Sequence, residues 1–287
     1  MALKKITNYL SLVKFSHTVF AMPFALIGFT LGVNQPEAHF DIMLLAKVIL
    51  CMIFARTSAM AFNRFIDRDI DSKNDRTRNR EIPSGVVSST SALFLVILSS
   101  LAFIGTTWFI NSICFYLSPV ALIVVLGYSL TKRFTWLCHL VLGIGLSLAP
   151  IGAYLAVTGK FDWVPLFFSF AVICWVSGFD IIYALQDEEF DRSLKLNSMP
   201  VAFGKKGALM ISTLLHAICI FFIVRAGIFL PFGNIYWAGV LVFTGLVIYQ
   251  HLIVKPNDLS KVNLAFFTTN GIASIIFACF VIADLLS

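Results

Sequence analysis

Charged residues are scarce in this sequence. They make up 13% of its 287 residues, where soluble domains carry about 25%, so its surface is not built for water. Paired cysteines are missing too: Cys51, Cys114, Cys138, Cys174, Cys219 and Cys279 are scattered along the chain without a Cys-x-x-Cys unit. That argues against a cysteine metal centre or dithiol redox pair and leaves them as small apolar packing groups. The histidines show no ligand-like spacing. His17, His139, His216 and His251 fall in or beside different hydrophobic stretches, so they are expected to form no cluster and no zinc site. No basic stripe with interleaved aromatics marks a nucleic-acid surface. A cleavable leader is not expected either, because the Lys-bearing start runs into a long apolar stretch without a small-residue cleavage site.

Hydrophobic residues fill the chain, at 59% of the total and a mean hydropathy of +0.90. A helix needs roughly 20 mostly apolar residues to cross the hydrocarbon layer. Such stretches recur at about 18–33, 43–62, 92–110, 113–130, 136–157, 164–183, 208–224, 235–253 and 264–286. The expectation is an all-α membrane protein, residues 1–287 forming a single polytopic domain of about nine transmembrane helices around a central cavity. Residues 4–15 read either as an interfacial amphipathic helix or as a plain basic leader. With the N-terminus in the cytoplasm, nearly every Lys and Arg outside the spans falls on the inside and only Lys160 and Arg225 fall outside, as the positive-inside rule requires. The net charge of +6 is then a topology signal.

In a bilayer protein the informative residues are the ionisable ones, since each is costly unless paired, hydrated or functional. The fifteen acids are concentrated: Asp67, Asp69, Asp71, Asp75 and Glu81 follow the second span, while Asp187, Glu188, Glu189 and Asp191 follow the sixth, with Asp180 a turn or two earlier. Asn63, Asp67 and Asp71 are spaced i, i+4, i+8, and Asp180, Tyr183, Asp187 and Asp191 at i, i+3, i+7, i+11. On a continuing helix each set lines one face. Stacked carboxylates repel unless a cation sits among them, and Mg²⁺ takes one or two while keeping other positions for water and phosphate oxygens. Two such faces entering one cavity would hold Mg²⁺ against a diphosphate. Arg64, Arg68, Arg76, Arg80, Lys132, Arg133 and Lys195 lie nearby as phosphate donors. The bland alternative, loops of alternating Asp and Arg forming solvated salt bridges, fits the first loop alone; the second acidic face tells against it.

Arg56 stands seven residues before Asn63, on nearly the same face and about 10 Å deeper. It is held there by Asp180 or a backbone carbonyl, or it clamps a substrate carboxylate. Gly143, Gly145, Ser147, Pro150 and Gly152 in the fifth span let helices approach closely or open a gap. Some of the 29 phenylalanines would line a tunnel for a long hydrocarbon chain.

Both constellations resemble a known family. Asn63-x-x-x-Asp67-x-x-x-Asp71, then Arg76-Thr77 and Arg80-x-Ile82-Pro83-x-Gly85, and the later Asp180-x-x-Tyr183-Ala184-x-x-Asp187-x-x-x-Asp191, look like the two aspartate-rich motifs of the UbiA superfamily of intramembrane aromatic prenyltransferases. The opening Lys14-Phe15-Ser16-His17-Thr18-Val19-Phe20-Ala21-Met22-Pro23-Phe24-Ala25 resembles its 4-hydroxybenzoate polyprenyltransferase-like branch, which includes members acting in the futalosine route to menaquinone. Arg64, where many relatives carry a second Asp, and Glu81, where Pro is frequent, depart from the pattern. The resemblance implies transfer of a polyprenyl group from its diphosphate to a ring carbon of 4-hydroxybenzoate in quinone biosynthesis, or of a dihydroxynaphthoate, in the plasma (inner) membrane. By it, Asn63, Asp67, Asp71, Asp187 and Asp191 hold Mg²⁺, the four aspartates being catalytic. Arg68, Arg76, Lys132 and Lys195 take the diphosphate; Arg56, Asp180 and Tyr183 take the acceptor. A transporter with an acidic vestibule is the rival from another class, though transporters place charged sites near the midplane.

Overall fold

The computed structural model describes residues 9, 11, 12 and 20–287. Most of residues 4–15, and residues 14–19 of the opening motif, lie outside the described residues. The chain folds as helices α1 (Met22–Val33), α2 (Ile42–Ile66), α3 (Ser89–Trp108), α4 (Ser112–Thr131), α5 (Cys138–Thr158), α6 (Trp163–Ala184), α7 (Met199–Phe229), α8 (Asn234–Ile253) and α9 (Asn270–Leu286). The π turn Leu264–Thr269 leads into α9, and an isolated bridge between Lys255 and Asp258 stands in place of any strand among the described residues. Eight of these segments are long and apolar enough to cross a membrane, and α1 is a shorter apolar helix of 12 residues as described. The nine expected spans therefore each find a helix.

Local chemistry sets where the helices begin. Asp41, Ser88, Asn111, Asp162 and Ser198 each accept a hydrogen bond from a backbone N–H of the first turn of α2, α3, α4, α6 and α7, satisfying donors that apolar surroundings would leave unpaired. Two helices outrun their hydropathy. α2 continues to Ile66 and α7 starts at Met199, before a break at Gly204, whose φ of 68° suits a residue without a Cβ.

The packed core lies on one side of the bundle. α1, α6, α8 and α9 interlock through Phe24, Phe168, Trp175, Phe243 and Phe277, and α7 joins them through Cys219 and Ile223. Inside it, Trp175 Nε1 donates to Asn270 Oδ1 at 3.1 Å and Gln250 Nε2 to the same oxygen at 2.6 Å, while Asn270 Nδ2 donates to the Ala265 and Phe266 carbonyls. That network satisfies the carbonyls freed by the π turn. It also sets Phe266 against Tyr183, ring centroids 4.1 Å apart. On the other side α2 packs on α3 and α4 but only sparsely on α1 and α5, and a cavity opens between them.

The small residues of α5 serve both purposes expected of them. Gly143 lies against the backbone of α6 at Ile173, and Gly28 of α1 lies against the Pro150 carbonyl, where a Cβ would overlap it; Gly145 and Gly152 face the cavity. Gly28→Ala is expected to lower the thermal midpoint in detergent, since forcing a carbon into a packed contact costs about 1–3 kcal/mol. An unchanged midpoint would show that α1 does not seat tightly on α5.

The histidines depart from expectation. His216 Nδ1 and His251 Nε2 stand 2.8 Å apart at the α7–α8 contact, because α8 returns antiparallel beside α7 and brings residues 35 positions apart together.

Candidate active site

The polar end of α2 keeps its helical register past its formal end. Asp67 N–H donates to the Asn63 carbonyl at 2.9 Å and Asp71 N–H to the Asp67 carbonyl at 2.7 Å, through the short helix Arg68–Asp71. The column Asn63, Asp67, Asp71 thus stays on one face, with both aspartates buried. At the end of α6 a 3₁₀ turn, Leu185–Asp187, passes into the helix Glu188–Ser193 and carries Asp187 and Asp191 along the same wall as Asp180 and Tyr183. All these side chains line one cavity of about 780 Å³. The two acidic loops open at the same end of the bundle and touch directly: Asn74 Nδ2 donates to Asp187 Oδ1 at 3.1 Å, and Arg76 forms a forked ion pair with Asp187 through Nε, at 3.0 Å, and Nη2.

Cations neutralise the acids one by one. Asp67 lies between Lys132 Nζ at 3.4 Å and Arg133 Nη2 at 2.8 Å, and Arg80 Nη1 meets both oxygens of Asp71 at 2.8 Å. Asp191 sits beside Ser198 and Lys132. Burial pulls the Arg76 pKa down, but the hydrogen bond and charge of Asp187 outweigh it and hold that guanidinium above its ordinary value, so Arg76 stays charged. Its Nη1 also donates to the Tyr183 hydroxyl at 2.9 Å, which puts Tyr183 at the cation-rich end. Asp67, Asp71 and Asp187 are thus each matched by a cation at a depth where an unpaired charge would be expensive, while burial holds the Asp191 carboxyl above its ordinary pKa against the pull of Lys132.

Two of the expected diphosphate donors are not brought to the cavity. Arg68 follows Asp67 by one residue, about 100° around the helix; it turns back to the Phe65 carbonyl at 2.7 Å and lies over the Phe65 ring. Lys195 sits in a left-handed turn, φ 55°, and is exposed. Arg64 and Arg80 line the cavity instead, and Arg133 stands behind Asp67. Asp180 does not hold Arg56: its Oδ2 lies 2.7 Å from His139 Nδ1. Arg56 Nε is buried without a hydrogen-bond partner. Arg56, Met60, Tyr128, Leu142 and Leu146 border both the polar cavity and a second, almost wholly apolar one of about 400 Å³ that reaches Phe161 beyond the far end of α5.

Tyr128 and His139 are the site residues that spacing did not single out. His139 was detectable in principle, because an ionisable side chain inside a membrane helix calls for a partner, and Asp180, matched in the sequence only with Arg56, was open to it.

Among the described residues no three His, Cys, Asp or Glu side chains stand close enough to enclose a metal by themselves. That does not suit a closed structural site of the zinc type. It suits Mg²⁺, a hard cation content with one or two carboxylates plus water and phosphate oxygens. The donors here are all oxygens: the Asn63 amide and the carboxylates of Asp67, Asp71, Asp187 and Asp191.

The sequence profile of the UbiA prenyltransferase family matches residues 21–272. The 4-hydroxybenzoate octaprenyltransferase of Nitrosomonas eutropha is 32% identical over 238 residues, 83% of each chain. That of Shewanella baltica is 30% identical over 230 residues, 80% of each. Among solved structures, a UbiA homolog from Aeropyrum pernix superposes with a TM-score of 0.80 at 28% identity, covering 94% of this chain and 97% of that one. A UbiA homolog from Archaeoglobus fulgidus bound to GPP and Mg²⁺ shares the fold, with a TM-score of 0.72 at 23% identity over 98% and 100%.

Proposed function

The chain belongs to the UbiA prenyltransferase family, and from that premise we propose that it transfers a polyprenyl group from its diphosphate to a ring carbon of 4-hydroxybenzoate. The observation that carries this reading is one cavity with two chemistries. Its mouth gathers acids and cations from the ends of α2, α4 and α6, and its floor passes Arg56 into an apolar chamber. A polyprenyl diphosphate matches that division, its charged head among Arg64, Arg76, Arg80 and Lys132 and its hydrocarbon along α2, α4 and α5. The curated relatives are named for this acceptor, and a fold relative is described with GPP and Mg²⁺.

Asn63, Asp67, Asp71, Asp187 and Asp191 would hold Mg²⁺. When bound it neutralises charge building on the departing diphosphate. The guanidinium and ammonium groups that pair with these acids at rest are placed to donate to phosphate oxygens as the carboxylates take up the metal. The allylic C–O bond breaks with its electrons leaving on the diphosphate, the ring carbon ortho to the phenol bonds to the allylic carbon, and the displaced ring proton departs. The apolar walls keep water from the allylic cation. Arg56 holds the acceptor carboxylate, orienting its ring toward the reacting carbon. The proposal sets this end of the bundle on the cytoplasmic side, in keeping with the positive-inside rule, and takes the plasma (inner) membrane as the protein's location.

Purified protein given one long polyprenyl diphosphate, Mg²⁺ and a panel of 4-hydroxybenzoate, a dihydroxynaphthoate and carboxyl-free phenols tests the proposal by mass spectrometry. The expected result is C-prenylated 4-hydroxybenzoate with released diphosphate, abolished by EDTA and restored by Mg²⁺. Preference for the naphthoate would move the acceptor and keep the reaction. No covalent product with any acceptor would overturn it.

A further inference from the structure

Of the five aspartates lining the polar cavity, Asp180 alone hydrogen-bonds an imidazole. Asp67, Asp71 and Asp187 each meet a guanidinium or ammonium directly, and Asp191 lies beside Lys132. Asp180 Oδ2 lies 2.7 Å from His139 Nδ1, and the His139 ring is buried, 4% exposed. The other ring nitrogen settles the tautomer. Met199 N–H points at His139 Nε2 from 3.3 Å, and a backbone N–H can only donate, so Nε2 must be the unprotonated, accepting nitrogen. The proton is then on Nδ1 and is donated to Asp180. Protonating the ring would set an N–H against the Met199 N–H. Asp180 Oδ1 has no hydrogen bond among the described residues, and the side chain, 23% exposed, opens into the cavity.

We propose that His139 is a positioning residue for the acceptor: locked as the neutral Nδ1–H tautomer by the first N–H of α7, it aims the Asp180 side chain so that Oδ1 receives the phenolic proton. The role presupposes the prenyl-transfer reaction proposed above. A guanidinium partner would weaken a carboxylate as a base and compete for its oxygens. A neutral N–H holds one oxygen and leaves the other basic. The proton balance is simple. The phenol O–H proton moves to Asp180 as the ring carbon bonds to the allylic carbon, giving a neutral dienone. Asp180 returns that proton to the oxygen as the ring C–H proton leaves with the released diphosphate, restoring the aromatic ring.

The competing account is that His139 only joins α5 to the start of α7. Three variants separate the two. His139→Ala is expected to lower kcat for 4-hydroxybenzoate by about tenfold or more without changing the KM for the prenyl diphosphate. His139→Gln, whose amide donates and accepts at similar reach, is expected to recover at least about a third of the wild-type rate. In an Asp180→Asn background, His139→Ala should cause little further loss. Ring-fluorinated acceptors, whose phenols are more acidic, should shrink the His139→Ala defect. Equal defects in Gln and Ala variants of unaltered thermal midpoint would overturn the assignment. So would a His139→Ala loss that is the same on fluorinated acceptors or undiminished in the Asp180→Asn background. Failure of the wild type to prenylate any phenol would instead sink the reaction itself.

Discussion

Replacing Asp67 or Asp191 with alanine is expected to slow prenyl transfer by about a hundred- to a thousandfold, with the protein still folded. The leaving diphosphate must be stabilised where charge accumulates, and these two acids, from the ends of different helices, line the cavity that would receive it. Removing Asp67 leaves Lys132 and Arg133 without their partner. Breaking a fully buried pair costs about 3–5 kcal/mol, but these two side chains are 29% and 31% exposed. Solvent screening brings the cost nearer 1 kcal/mol, too little to unfold the bundle. Asp67→Asn, which keeps the volume and a contact for Asn63, separates the lost charge from the lost packing. Turnover and thermal midpoint measured together decide it, and near-normal turnover in both alanine variants would remove the acids from the chemistry.

Arg56→Leu is expected to cut kcat/KM for 4-hydroxybenzoate by about tenfold to a hundredfold, the worth of one or two charge-assisted hydrogen bonds. Carboxyl-free phenols should lose nothing further. The same change should raise the thermal midpoint without substrate, because Arg56 Nε is buried with no partner and deleting an unsatisfied buried donor relieves a desolvation cost of about 1–3 kcal/mol. Gain of stability with loss of activity is the pattern of a group held ready for a ligand. A stability loss, or equal activity losses on acceptors with and without a carboxylate, would assign Arg56 to packing.

The helices were legible because the bilayer demands long apolar runs, and the acidic columns because i, i+4 spacing survives wherever backbone hydrogen bonds continue, as they do from Asn63 to Asp71. Hydropathy misplaced the ends of α2 and α7, since Asn63, Arg64, Lys205 and Lys206 are polar yet helical. Pairings across the bundle were not legible. Arg76 meets Asp187 across 111 positions and His139 meets Asp180 across 41, and no local period encodes either. Arg68 lies off the cavity for a reason the sequence does contain, since the residue after a ligand on a helix is turned about 100° from it. Lys195 lies off it for one it does not, a left-handed turn at which the residue is exposed.

The claim everything else depends on is that the ends of α2 and α6 share one metal–diphosphate complex. Mn²⁺ in place of Mg²⁺, with an unreactive prenyl thiolodiphosphate, reads this directly by pulsed electron paramagnetic resonance. In the wild type the Mn²⁺ signal should couple to phosphorus, and Asp71→Asn and Asp187→Asn should each weaken Mn²⁺ binding at least about tenfold. Undiminished Mn²⁺ affinity and phosphorus coupling in either variant would contradict the account.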